Sequence, residues 1–263
     1  NVPAEISISR SAGSYYLMNL PLLLLAVKEI INRAKIDVVV MGNLVPPLFP
    51  LLSKIFSRKE ISIVFDLQDH YPTSATGYLA DPNSTMGRIL STCFSALMKT
   101  IVVNADLVTV PGSALASSAR SYGATNVAIV PNGISESFLI THEGSRTRET
   151  LGLARGEFVA GYVGSIEFWL DMRTVLEAVA QSIRLGIPMK LLLIGEKLQT
   201  NYAANVDQWI AQLNLQTNVI RCGFTSHEDV PRYIAAIDVG LIPFNVRNLT
   251  ACYASPNKMW EYL

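Results

Sequence analysis

The residues best suited to chemistry fall in three places. Asp69 and His70 stand together in the run Asp66-Leu67-Gln68-Asp69-His70-Tyr71-Pro72. A histidine titrates near neutrality, and a neighbouring carboxylate holds its orientation or raises its pKa, so this pair is the leading acid–base candidate. A polar turn closed by Pro72 accounts for the same residues, because Asp is frequent in turns. The second place is Ser255-Pro256-Asn257-Lys258-Met259-Trp260-Glu261-Tyr262. A proline at a helix start, then Lys258 and Glu261 three positions apart, predicts a cation and a carboxylate on one helical face. Partial positive charge at the helix N-terminus adds to them, so a phosphate at its mouth and a sugar hydroxyl on Glu261 would both be satisfied. By spacing alone, a surface ion pair worth well under about 1 kcal/mol explains the pattern equally well. The third place is a set of glycines, Gly164, Gly195 and Gly223, each at the end of an apolar run. Glycine lets backbone N–H groups approach a ligand closely, and three such ends suggest a ligand lying across several strands. His142 and His227 read as structural, the latter in Ser226-His227-Glu228-Asp229, a sequence resembling a capping box.

These residues need elements to hold them. Apolar runs over 36–41, 61–65, 107–110, 127–130, 158–163, 190–194, 219–222 and 239–242 predict strands. Several lack polar alternation, as parallel strands covered on both faces do. Met172, Val175, Leu176, Val179 and Ile183 repeat at helical spacing, with Asp171 as N-cap and Gly186 as stop. Further helices are expected over about 202–213 and 227–237. Strand and helix in alternation mean an α/β, doubly wound parallel architecture, in which ligands bind beyond the carboxyl ends of the strands. The rhythm breaks after Val130, at Pro131-Asn132-Gly133 and the polar stretch 141–146, which predicts a join between two Rossmann-like domains facing a cleft.

The 263 residues are half apolar and 16% charged, with 21 basic residues balancing 21 acidic ones. That composition is globular, and its zero net charge argues against a nucleic-acid partner. Three scattered cysteines suggest neither a disulfide framework nor a zinc cluster, and a reducing, cytoplasmic compartment fits them. The apolar stretch 15–27 holds Asn19 and Pro21 and falls short of the roughly 20 residues a membrane span requires. It predicts a buried helix, with contact at a membrane surface as the alternative.

Five segments together resemble the GT-B glycosyltransferases, specifically family 4. Ala105-Asp106-Leu107-Val108-Thr109-Val110 resembles the "ADxVxxxS" strand, and Ile129-Val130-Pro131-Asn132-Gly133-Ile134 the "vxPNGv" connector. Tyr162-Val163-Gly164-Ser165 resembles the first strand and glycine loop of the donor domain. Asp238-Val239-Gly240-Leu241-Ile242-Pro243-Phe244 resembles "aDvgliPf", and residues 255–263 resemble "sPxKlxEYla". The resemblance implies an acceptor-side domain over 1–134 and a donor domain over 135–263, both incomplete. It implies transfer of a sugar from a nucleoside diphosphate sugar to a glycan or lipid-linked acceptor, with retained configuration. No cofactor and no metal are implied. It also places Glu261 at the donor ribose, Gly223-Phe224-Thr225 at the base, Gly164-Ser165 at the diphosphate, and the turn at Gln68-Asp69 near the reacting sugar. The implied setting is cytoplasmic, with peripheral contact at the inner face of the membrane.

The chain departs from that pattern in several places. Many members carry an Arg after the first donor-domain glycine and a Lys five residues later, where this chain has Ser165 and Leu170. The first Glu of the usual Glu-x7-Glu is Tyr253. Lys258, aided by the N–H at Ser165 and the final helix start, is expected to replace the missing cationic clamp. The family's His precedes the Asp of the strand-end turn, whereas here His70 follows Asp69, which leaves both as candidates. The chain also opens past the usual first strand and stops inside the helix of Glu261, as a fragment would, and such a piece can keep the fold without activity. A sugar-nucleotide epimerase on the same scaffold, or a non-enzymatic two-domain sugar sensor, would fit the same elements.

Overall fold

The computed structural model describes residues 12–42, 51, 61–140, 143–195 and 201–263. They form two compact units, Asn1–Pro131 with Tyr253–Ser255, and Asn132–Cys252 with Pro256–Leu263.

The first unit contains α1 (Ala12–Arg33), β1 (Val38–Gly42), β2 (Ser62–Asp66), α2 (Tyr71–Leu79), α3 (Thr85–Asn104), β3 (Leu107–Val110), α4 (Ser113–Ser121) and β4 (Val127–Ile129). Its sheet runs β1-β2-β3-β4, with every pair parallel. Ile63 and Phe65 of β2 point into a core with Met98, Ile101 and Val102 of α3, Val108 and Val110 of β3, and Leu115 of α4. Each such side chain contributes roughly 1.5–3 kcal/mol on burial. The stretch 15–27 lies in the expected helix, α1, which runs through both Asn19 and Pro21, but its burial is only partial. A proline inside a helix costs about 3 kcal/mol locally, which a helix of 22 residues can carry. Of its described side chains Asn19 and Ile31 are buried, whereas Leu22, Leu25 and Ile30 are exposed. Among the described residues one helix, Thr85–Asn104, is long and apolar enough to cross a membrane. Its Met98, Ile101 and Val102 are packed in this core.

The second unit begins with a 3-10 turn (Glu136–Leu139), then α5 (Gly144–Thr150), β5 (Phe158–Val163), α6 (Met172–Arg184), β6 (Met189–Ile194), α7 (Asn201–Gln212), β7 (Val219–Gly223), α8 (Val230–Ile234) and β8 (Val239–Gly240). Two short helices follow, α9 (Leu249–Tyr253), whose last residue belongs to the first unit, and α10 (Lys258–Glu261). The parallel sheet has the order β7-β6-β5-β8. The chain therefore winds outward from β5 to β7 and then returns to the other side of β5, which makes the β5–β8 junction a topological switch point. Strand β6 shows why its sequence is uniformly apolar. Leu191 and Leu193 enter the core under α6 and α7, and Leu192 and Ile194 enter the opposite one with Val159, Val163 and Val230.

Helix α6 keeps both predicted ends. Asp171 Oδ1 accepts from the N–H of Thr174 (3.1 Å). Gly186, at φ +82°, closes the C-terminus, its N–H on the Ile183 carbonyl and that of Ile187 on Ser182. The helix expected over 227–237 is shorter, only Val230–Ile234. Ser226 Oγ donates to the Asp229 carboxylate (2.7 Å) and its carbonyl accepts from the Asp229 N–H, so 226–229 forms a turn in place of a capping box. Pro231 lies in the first helical turn, where its missing N–H is not needed. His227 lies against Phe138, ring centroids 5.0 Å apart; His142 lies outside the described residues.

Candidate functional site

In the second unit, β5, β6 and β7 end side by side at Gly164, Gly195 and Gly223, with φ of +129°, +134° and +71°. The Gly164 N–H donates to the Ile194 carbonyl (2.7 Å), and the Gly195 N–H donates to the Gly223 carbonyl (3.0 Å). At Gly195 glycine is required for space as well as for conformation. A Cβ on Gly195 would lie 2.7 Å from the Gly164 carbonyl oxygen. A Cβ on Gly164 would lie 2.9 Å from Lys258 Cε and 3.0 Å from its Nζ.

Lys258 thus reaches the first glycine of the row. Its ammonium also lies 5.4 Å from the centre of the Tyr162 ring. Burial lowers its pKa, and the nearby Glu261 charge opposes that shift. An ammonium partly stripped of water gains more from an anion than a solvated one does. Tyr162 Oη donates to the Ser165 carbonyl (2.8 Å), which turns that carbonyl inward. Among the described residues, the N–H groups of Ser165 and Ile166 meet no acceptor. Successive backbone amides in a turn conformation can line an anion-binding concavity.

The closing helix α10 is fixed by Tyr262. Its hydroxyl accepts from the Val163 N–H (3.0 Å) and donates to the Leu241 carbonyl (3.3 Å), joining the tips of β5 and β8 at the switch point. Burial raises its pKa to about 12. Gly240 exists to admit that ring, since a Cβ there would lie 2.5 Å from it. Glu261 lines a hollow of about 190 Å³ with Phe138, Ile140, Pro231 and Ile234. Phe224 extends into solvent, 79% exposed, and Thr225 Oγ1 bonds back to the Gly223 carbonyl (3.4 Å). The sequence singled out Lys258 and the glycines; it did not single out Tyr162 or the Tyr262 hydroxyl, since no local pattern marks a phenol that bonds 99 residues away.

Asp69 and His70 belong to the first unit, beyond the tip of β2, and their expected partnership is corrected by the geometry. Asp69 Oδ1 accepts from the backbone N–H of His70 (2.7 Å) and does not orient the imidazole. Burial raises the Asp69 pKa, opposed by hydrogen bonds from Ser74 and His70. The His70 ring is 7% exposed and stacks on Tyr253, centroids 4.2 Å apart and planes 16° from parallel. Burial lowers its pKa to about 4, so the ring is neutral at pH 7. Thr73 Oγ1 gives its proton to the His70 carbonyl (2.9 Å), so the 3.0 Å contact to Nδ1 makes Nδ1 the protonated nitrogen. In the sequence Tyr253 stands out only as a departure from a motif. Nearby, Asp66 at the β2 tip accepts from Thr109 Oγ1 (2.6 Å) and Gln68 Nε2 (2.8 Å). Among the described residues, no group of three or more His, Cys, Asp or Glu side chains gathers as a metal site.

Two α/β units with parallel sheets, one with glycine-ended strands and a closing Lys-bearing helix, define the GT-B fold class. Within it, residues 145–246 match the family described as glycosyl transferases group 1, in accord with the motif resemblance. A putative teichuronic acid biosynthesis glycosyltransferase, TuaH of Bacillus subtilis (strain 168), is 26% identical over 224 residues. That match covers 82% of this chain and 51% of TuaH, so the chain spans about half the length of that relative. Among solved structures, sucrose-phosphate synthase from Thermosynechococcus elongatus superposes with a TM-score of 0.69 at 18% identity, covering 95% of this chain and 61% of the synthase. HepE of Anabaena in complex with UDP-glucose gives 0.67 at 21% identity, covering 85% and 57%.

Proposed function

We propose that the protein is a retaining glycosyltransferase that moves a sugar from a UDP-sugar to a glycan or lipid-linked acceptor, with no other cofactor. The row of glycine tips at Gly164, Gly195 and Gly223, with the Lys258 ammonium against the first of them, carries this reading. Fixed amides and one partly desolvated cation stabilise charge developing on a leaving diphosphate without reorganising. UDP is the preferred nucleotide because HepE has been solved with UDP and with UDP-glucose. A polysaccharide acceptor is favoured by the name of TuaH. Glu261 takes the donor ribose, Gly223-Phe224-Thr225 the base, and Gly164-Ser165 the diphosphate. In the first unit, His70 acts as a neutral hydrogen-bonding group and Asp69 orders the turn that presents it, since an imidazole of pKa about 4 is a poor base at neutral pH. The setting is cytoplasmic, with peripheral contact at the inner face of the membrane.

Thermal-shift screening of the full-length protein against UDP, GDP, ADP and their sugars tests the donor assignment, because a ligand of the native state raises the midpoint by mass action. UDP and a UDP-sugar are expected to give the largest shifts. Lys258→Ala is expected to lower turnover by about 10²–10³-fold. Turnover within a few-fold of wild type would reject the role given to Lys258.

A further inference from the structure

We infer that Tyr202 is a positioning residue for diphosphate binding, acting through the loop 164–171; this rests on the donor-site reading above. The loop leaves β5 at Gly164 and enters α6 at Asp171, and it is fastened along one side to the segment after β8. The Asn245 N–H donates to the Trp169 carbonyl (2.9 Å), the Asp171 N–H donates to the Pro243 carbonyl (2.7 Å), and Leu170 bridges Phe244. On the other side a side chain from α7 fastens it. Tyr202 Oη accepts from the Met172 N–H (3.1 Å) and donates to the Leu170 carbonyl. One hydroxyl therefore ties the Leu170 carbonyl, near the end of the loop, to the first amide of α6. A neutral hydroxyl both gives and takes a hydrogen bond, which neither Phe nor a charged side chain does. Burial raises the Tyr202 pKa, so the proton needed by Leu170 stays in place.

The ring itself is held. Trp209, one face of the same helix, meets Tyr202 edge-on at 5.8 Å, and the Arg173 guanidinium of α6 lies 5.8 Å over the Trp209 ring. Ser165 and Ile166, whose amides form the anion concavity, lie in this loop. With Ser165 and Leu170 in place of a cationic clamp, affinity depends on those amides being fixed before the ligand arrives. Tyr202 supplies that fixity from a distance.

The test is Tyr202→Phe in the full-length protein, read in two ways. Hydrogen exchange in the unliganded protein is expected to quicken at Met172 and within 165–171, with β6 unchanged. Calorimetric titration is expected to show UDP affinity lowered roughly three- to tenfold, the worth of one hydrogen bond, and uridine affinity unchanged, because uridine carries no diphosphate. A general loss of packing would weaken both ligands alike. Unchanged exchange in the loop, or equal losses for UDP and uridine, would overturn the assignment while leaving the donor site standing. Failure of the wild-type protein to bind UDP would overturn the donor site and this inference with it.

Discussion

The two units each carry a four-stranded parallel sheet, in different strand orders, and treat their strand tips in opposite ways. Beyond β2 of the first unit, the polar turn is closed over by its own aromatic neighbours. His70 is stacked beneath Tyr253 and tilted against Tyr122, its charge suppressed by burial. At the tips of β5, β6 and β7 of the second unit stand glycines, and the Lys258 ammonium lies against the first of them. Burial in the first case neutralises a titratable group. In the second, partial burial strips water from the Lys258 ammonium and lowers its pKa. The same desolvation thus yields a neutral imidazole in one unit and, in the proposed function, an anion site in the other.

The sharpest way to break the second half of that contrast is Gly195→Ala. The new methyl would meet the Gly164 carbonyl at 2.7 Å, and the residue would be held at φ +134°. A loss of about 3 kcal/mol or more is expected in the second unit, seen as a lowered calorimetric midpoint, along with lost UDP binding. Retention of both would mean that the glycine row is ordinary turn chemistry.

The first half is tested by pH. The unfolded chain takes up a proton on His70 near pH 6.5, whereas the folded unit refuses it until about pH 4. Stability contributed by the neutral ring is therefore complete above pH 6.5 and is lost as pH falls through that window, by up to about 3 kcal/mol. Asp69, whose pKa is raised, acts with the opposite sign, its contribution lost as pH rises from the acid side. Comparing urea midpoints of wild type and His70→Gln at pH 7 and pH 4.5 isolates the histidine. The variant is expected to lose less stability on acidification, and parallel losses would contradict the buried neutral ring.

A smaller effect sharpens the comparison from the aromatic side. Tyr253→Ala removes the stacked ring, at a cost of about 1–2 kcal/mol beyond which water regains the imidazole. The NMR titration of His70 is expected to move up from about 4 toward 6.5. A midpoint that stays near 4 would assign the suppression to the rest of the pocket. Smallest is Asp171→Ala, which removes the cap of α6 and should cost about 1 kcal/mol, seen in the denaturation midpoint, while the backbone bond from residue 171 to the Pro243 carbonyl remains.

Much of the architecture was legible in the chain because its causes are local. Strand 107–110, strand 158–163 and helix α6 with both of its ends follow from short apolar runs, one capping carboxylate and one glycine. The shortening of α8 was legible only in hindsight, in Pro231 and in an Asp229 that takes the Ser226 hydroxyl for itself. The glycines of the site were visible as residue types, and their row was not, because side-by-side placement depends on strand order.

Sequence by itself determined which segments become strands and helices, since backbone preference and hydrophobic spacing act over a few residues. It also determined that Lys258 would be present where other cations are missing. Tertiary structure alone decided what those groups face. Tyr253 meets His70, Tyr262 meets Val163, and Tyr202 meets Leu170 only because folded sheets bring distant positions together. Desolvation and hydrogen-bond partners, which set whether a histidine is a base or a lysine holds an anion, arise from that packing and have no counterpart in the order of residues.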